Sequence, residues 1–214
     1  MKDINTNLKK YIEKNILPCY DTFDHGHDSR HINAVIERAL EFAKELNNPK
    51  INMNIVYTSA AYHDIGMIVA RKGHAKHSHD YVLSDKGLKD FFNNEEITLI
   101  AEACEDHSTS TGRTPRSIYG KIVSDADKDN DMDISLMRAW NYSTHNFPNL
   151  TEEEHFNDIH KEIVKRFGEG GSVKFYLPAE KIQSFLKQMR HYAENKEDFA
   201  DAMRELLSRQ QEKD

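Results

Sequence analysis

Cysteine is almost missing from this chain: Cys19 and Cys104 are the only two in 214 residues. Two cysteines so far apart make no disulfide framework, and without a Cys-x-x-Cys pair there is no thiolate zinc pattern. No run of about 18 apolar residues occurs, so no segment reads as a membrane span. The opening Met1-Lys2-Asp3-Ile4-Asn5 leads into a polar segment rather than an apolar signal core. Together these absences set a reducing cytoplasm as the expected location. Positive charge is also in deficit, with 29 Lys and Arg against 36 Asp and Glu, a formal net charge of −7. A general nucleic-acid binder needs a basic surface, so the balance argues against nucleic acid as a partner while leaving room for a local basic phosphate pocket. There are no internal repeats, no low-complexity tract and no series of alternating strands.

What the chain does have is charge of both signs, at 30% of residues beside 38% hydrophobic. That mix suits a soluble, largely helical protein with well-charged outer faces. The length fits one domain carrying a helical extension. Histidine is the outlier: there are 12, and eight of them lie between His25 and His107.

Apolar residues recur at helical spacing along most of the chain. Residues 4–17 form a short helix closed by Pro18. Asp28 or Ser29 can cap the next, which carries Ile32, Val35, Ile36, Ala39, Ala43 and Leu46 and stops at Asn47-Asn48-Pro49. A third runs from about Asn52 to Asp64, with Val56, Ala60 and His63 on one face. Residues 71–80 read as a polar turn feeding a helix through Tyr81–Leu83. Asn93 or Asn94 caps a helix with Ile97, Ile100, Ala101 and Cys104, and His107 ends its apolar face. The helix after the Ser108–Pro115 loop holds Ile118, Ile122, Val123 and Ala126 and is expected to continue to Trp140. A loop over Asn141–Leu150 leads to an amphipathic helix at 151–167. After the Gly168–Gly171 break, Val173–Leu177 reads as a short extended piece. The last helix starts near Pro178 and is expected to be interrupted near Asn195. The expected fold class is all-α, a single domain over 1–214 with a core at about 25–135 and C-terminal helices at about 151–209.

The stretch Ala61-Tyr62-His63-Asp64-Ile65-Gly66 organises the rest. A histidine and an aspartate stand side by side at a helix end, and Gly66 lets the backbone leave it. His31, His63, Asp64, His74, His107 and Asp127 each lie at or near a predicted helix end or an apolar face. Mixed imidazole and carboxylate donors suit manganese, iron, zinc, cobalt or nickel, whereas magnesium alone favours oxygen. Such an ion lowers the pKa of a bound water and polarises a phosphoryl oxygen. Two ions could share the Asp64 carboxylate. Asp125 rivals Asp127, since both flank Ala126 on the same helix. The acidic run Asp125–Asp133 is not an EF-hand, because Gly at position six and Glu at position twelve are missing. His25, His77 and His79 fall in polar stretches, and His145, His155, His160 and His191 in surface-like contexts. Among the basic residues near the motifs, Lys76 and Lys128 are the candidates for facing a substrate phosphate.

In order, His27-Asp28-Ser29-Arg30-His31, His63-Asp64-Ile65-Gly66 and Ser124-Asp125-Ala126-Asp127-Lys128 resemble the HD-domain superfamily of metal-dependent phosphohydrolases, over roughly residues 25–131. The resemblance implies an HD-type helical bundle in which His31, His63, Asp64 and Asp127 form one metal shell, and it favours Asp127 over Asp125. Members with two metals add histidines that match His74 in His74-Ala75-Lys76-His77-Ser78 and His107 in Asp106-His107-Ser108. The implied activity is hydrolysis of a nucleotide or another small phosphate ester or anhydride. One or two divalent ions per chain would serve it, manganese first, with His63 and Asp64 as catalytic residues. The Gly-Tyr-Pro motif of the cyclic-dinucleotide branch does not follow His107, so that substrate is not expected. Two alternatives share the residues: an HD-type di-iron oxygenase, and a non-catalytic HD module that senses a nucleotide or mediates assembly. The final amphipathic helix fits a homodimer seam under all three.

Overall fold

The computed structural model describes residues 3–23, 26–108 and 113–212, and no strand occurs among them. His25 and part of the Ser108–Pro115 loop lie outside the described residues. The protein is all-α, as the apolar periodicity implies. No helix among the described residues is long and apolar enough to cross a membrane. Where the sequence suggests one domain, the chain divides into two compact units. One comprises Met1–Lys128 with Phe175–Leu177, the other Asp129–Lys174 with Pro178–Asp214.

The first unit is built from six α-helices: α1 (Thr6–Asn15), α2 (Ser29–Glu45), α3 (Met53–Tyr62), α4 (His74–Ser84), α5 (Asn94–Asp106) and α6 (Ile118–Asp127). Short 3-10 turns occupy Leu17–Thr22, Ile65–Ile68 and Lys86–Asp90. Most helix starts are capped by the side chains that the sequence offers. Asp28 accepts the backbone N–H groups of Arg30 and His31 at 3.0 and 3.1 Å. Asn93 and Glu96 form a reciprocal capping box on α5, and Ser117 caps α6. Each cap satisfies donors that the first helical turn leaves without partners.

Every residue of α3 except Asn54 is buried, so it is the core helix rather than an amphipathic one. Helix α2 packs Ile32, Val35, Ile36, Ala39, Phe42 and Ala43 inward. Burying each larger aliphatic of that stripe is worth about 1.5–3 kcal/mol. Packing of α2, α4, α5 and α6 around α3 and the turn after it brings the helix ends into register. Tyr20 is fully buried and donates its hydroxyl to the Ala61 carbonyl at 2.9 Å, bracing the last turn of α3.

The second unit holds α7 (Met132–Asn146), α8 (Glu152–Phe167), α9 (Glu180–Glu194) and α10 (Lys196–Gln211). Its core gathers Leu136, Phe156, Ile159, Ile163, Ile182, Met189, Phe199, Met203 and Leu206. The break expected near Asn195 is present and separates α9 from α10.

Three elements differ from the sequence reading. The helix expected from Ile118 to Trp140 is two helices: Lys128 is extended, and Asp131 starts α7 by accepting the N–H of Ile134. Helix α7 then runs to Asn146, shortening the loop expected at Asn141–Leu150. Helix α4 begins at His74 rather than near Tyr81, because Gly73, at φ 80°, turns the chain in a left-handed conformation that glycine takes without a Cβ penalty.

Candidate metal centre

Five helix ends supply the cluster. His31 stands in the first turn of α2, and His74 opens α4. His63 is the C-cap of α3 with Asp64 beside it, His107 is the C-cap of α5, and Asp127 is the last residue of α6. Three helix C-termini, each carrying roughly half a negative charge, meet two N-termini of opposite sign, which leaves a small net field favouring a cation.

The ligand atoms form two groups that meet on Asp64. In the first, the His31 Nε2 lies 3.1 Å from Asp127 Oδ1 and 3.8 Å from Asp64 Oδ2. The His63 Nε2 lies 3.2 Å from Asp64 Oδ2 and 3.6 Å from Asp127 Oδ1. In the second, His74 and His107 direct their Nε2 atoms to the other oxygen, Asp64 Oδ1, at 3.2 and 3.3 Å, and stand 3.1 Å from each other. His63, Asp64 and His107 are almost wholly buried, while Asp127 and His74 are 29% and 23% exposed and mark the open side.

Local backbone geometry aims these rings. His63 Nδ1 donates to Ala60 O at 2.8 Å, His74 Nδ1 to Arg71 O at 3.0 Å and His107 Nδ1 to Cys104 O at 2.5 Å. A carbonyl only accepts, so Nδ1 carries the proton in each ring and Nε2 presents its lone pair to the cluster. The two halves are held together by a close approach. A Cβ on Gly66 would stand 2.2 Å from the His74 carbonyl oxygen and 2.4 Å from the Ser78 nitrogen. Only glycine lets the turn after Asp64 lie directly on α4, where its N–H donates to the Ser78 hydroxyl at 2.9 Å.

The donor set fits a divalent ion. His31 Nε2, His63 Nε2 and Asp64 Oδ1 are buried and make no hydrogen bond, although oppositely polar atoms lie near each. Buried polar atoms ordinarily find partners. Convergent lone pairs without protons between them are what a cation satisfies. Electrostatics agrees. Burial alone would raise the Asp64 and Asp127 carboxyls, but neighbouring imidazoles hold both well below the usual range. Burial would lower His63, yet Asp64 and Asp127 lift it well above its ordinary value, and Asp64 raises His74. The cluster demands positive charge.

The rival carboxylate is used elsewhere. Asp125 Oδ2 accepts the backbone N–H groups of Tyr176 and Leu177 at 2.7 and 2.8 Å, and its Oδ1 meets Lys128 Nζ at 3.2 Å. Lys128 also donates to Ser124 and lies over the Phe175 and Tyr176 rings, so its ammonium is engaged within this corner. Lys76 is on an exposed face of α4, paired with Asp80 at 2.8 Å. It is two residues on from His74, about 200° around the helix. Of the remaining histidines, His79 joins the Lys76–Asp80 pair, and His191 pairs with Asp198. His155 is a correction: it is buried, bonded to Ser143 at 2.8 Å and packed against Trp140. The sequence reading passed over His27, whose ring centroid lies 6.0 Å from that of His31 and 6.3 Å from that of His74. It stands beside one ring of each group, and its sequence signal is its place at the head of the His27–His31 motif.

Residues 29–130, which contain every residue of the cluster, match the family model described as HD domain. The matched span resembles an HD domain. HD domains bind divalent metals, and here the four-residue and three-residue ligand groups both fall inside the matched span. Among solved structures the chain is similar to a predicted HD superfamily hydrolase from an uncultured Thermotogales bacterium. The two share 25% sequence identity over 75% of this chain and 94% of that one, at a TM-score of 0.48. No curated protein matches the chain.

Proposed function

We propose that this HD domain is a phosphohydrolase acting on a nucleotide or another small phosphate ester or anhydride with two divalent ions, manganese first. The observation that carries the reading is Asp64, which turns one oxygen to His31, His63 and Asp127 and the other to His74 and His107. An ion held by either group would activate a water and draw negative charge from a phosphoryl oxygen. The chain's own residues set the geometry. Asp64 stands at the junction and would orient such a water, while His63 is locked in one tautomer by the Ala60 carbonyl. The buried rings of His63 and His107 close the inner side to bulk solvent, and the partly exposed Asp127 and His74 leave the outer side for substrate. The partner in this reading is a small phosphorylated molecule in the cytoplasm, and a net charge of −7 argues against nucleic acid.

Elemental analysis of chelator-free protein tests the reading, with His63→Ala and His74→Ala alongside. The expected result is two ions per wild-type chain, one in His74→Ala, and loss of the four-ligand site in His63→Ala. Phosphate release from nucleotides with manganese should fall at least 100-fold in His63→Ala. Two tightly held irons with no phosphate release would favour the oxygenase alternative, and no metal after reconstitution would rule out both.

A further inference from the structure

The latch at Asp125 has no part in holding metal, yet it is among the most buried features of the first unit. Its side chain is 0% exposed. One oxygen takes two consecutive backbone N–H groups from residues 51 and 52 positions later, and the other is matched by Lys128. Two donors on one buried carboxylate oxygen fix a short segment firmly, because leaving that carboxylate without partners is costly. The segment so fixed carries Tyr176.

The position of Tyr176 can be triangulated. Its ring lies with its centroid 5.2 Å from the ammonium of Lys128, the residue that follows Asp127. Burial raises its phenol, with the Asp125 and Asp106 carboxylates adding to the rise. Asp125 is two residues before Asp127 and Lys128 follows it, so the ring stands by the last turn of α6, the helix that delivers that ligand. The latch grips the backbone of residues 176 and 177, which sets where the ring stands while leaving the side chain half-buried. A half-buried aromatic ring held beside the helix end that carries Asp127 has the shape and chemistry of a stacking platform.

We propose that Tyr176 is a specificity-determining residue whose ring stacks on the nucleobase of a nucleoside phosphate, with Asp125 and Lys128 as positioning residues that hold it there. The choice of a phosphorylated ligand rests on the phosphohydrolase reading; the aromatic selectivity rests on the latch.

The test is calorimetric titration, with manganese present, of an α,β-methylene nucleoside triphosphate and of tripolyphosphate into wild type, Tyr176→Ala, Tyr176→Phe and Asp125→Asn. Wild type should prefer the nucleotide by about tenfold, the scale of one base–aromatic stack. Tyr176→Phe should keep that preference and Tyr176→Ala should lose it. Asp125→Asn should shift in the same direction as Tyr176→Ala and make the 173–177 segment easier to cleave with protease. Equal affinity of wild type for the two ligands, or undiminished nucleotide binding by folded Tyr176→Ala, would overturn the proposal. Phosphate release from an ordinary nucleoside triphosphate is followed in parallel. Tyr176-dependent binding without release would overturn the hydrolase reading alone. Release with an unchanged KM in Tyr176→Ala would overturn the stacking role alone.

Discussion

At the scale of single residues, the centre depends on where a side chain is missing as much as on where one is present. Gly66→Ala would drive a methyl group into the backbone of α4, with 2.2 Å to the His74 oxygen. Neither partner is a flexible side-chain tip, so the turn and α4 must separate. A loss of about 1–3 kcal/mol in urea unfolding is expected, together with loss of the ion bound by His74 and His107. Cys104 is buried, and burial pushes its thiol well above the ordinary range. It should resist alkylation in the native protein and react only after denaturation, a difference readable by mass spectrometry. The ordered histidines and the His63-Asp64 pair were legible in the sequence because they sit in short motifs. The contest between Asp125 and Asp127 was not, because flanking Ala126 gives both similar periodicity. In the structure Asp125 takes backbone donors 51 and 52 residues away, while Asp127 lies with the histidines. Lys76 was named for its place in the His74-Ala75-Lys76 run, but two helical steps carry it away from the face that His74 occupies.

At the scale of elements, the sequence revealed which segments are helical better than where they stop. Ile118–Trp140 reads as one helix because its apolar spacing continues. The break falls where Lys128 is held by Asp125 and Ser124 and where Asp131 offers a new cap, both tertiary or capping effects that periodicity does not report. The start of α2 makes a prediction about acid. Arg30 and the His31 N–H hold the Asp28 carboxyl down at about 2. An unfolded aspartate titrates near 3.9. The cap's contribution is thus complete above about pH 4 and is lost as pH falls toward 2. Amide hydrogen exchange at Arg30 and His31 should accelerate across that window, and Asp28→Asn should flatten the dependence. A second prediction concerns the end of α5. Asp106, whose side chain is fully buried, binds the Arg116 backbone and both the Arg113 and Arg116 side chains. Asp106→Ala would leave these donors without their acceptor and release the anchor beside His107. About 2–4 kcal/mol of stability should be lost in thermal or urea unfolding.

At the scale of the whole molecule, the two units are interleaved along the chain: residues 175–177 leave the second to complete the first. A chain ending at Lys128 holds every candidate metal ligand but lacks the donors to Asp125. It should still bind metal, yet be less stable than the same residues in the full chain by about 1–3 kcal/mol, the cost of a buried acceptor left without partners. A synthetic peptide of residues 173–178 should restore part of that loss. The interleaving also sets a timetable. Asp125 leaves the ribosome long before Leu177, 52 residues later. At about 5–20 residues per second, that interval lasts roughly 3–10 s. For those seconds a nascent chain displays all its ligands around an unlatched helix end, open to whichever ion the surroundings supply first. An ion taken in that interval would be chosen before the latch closes.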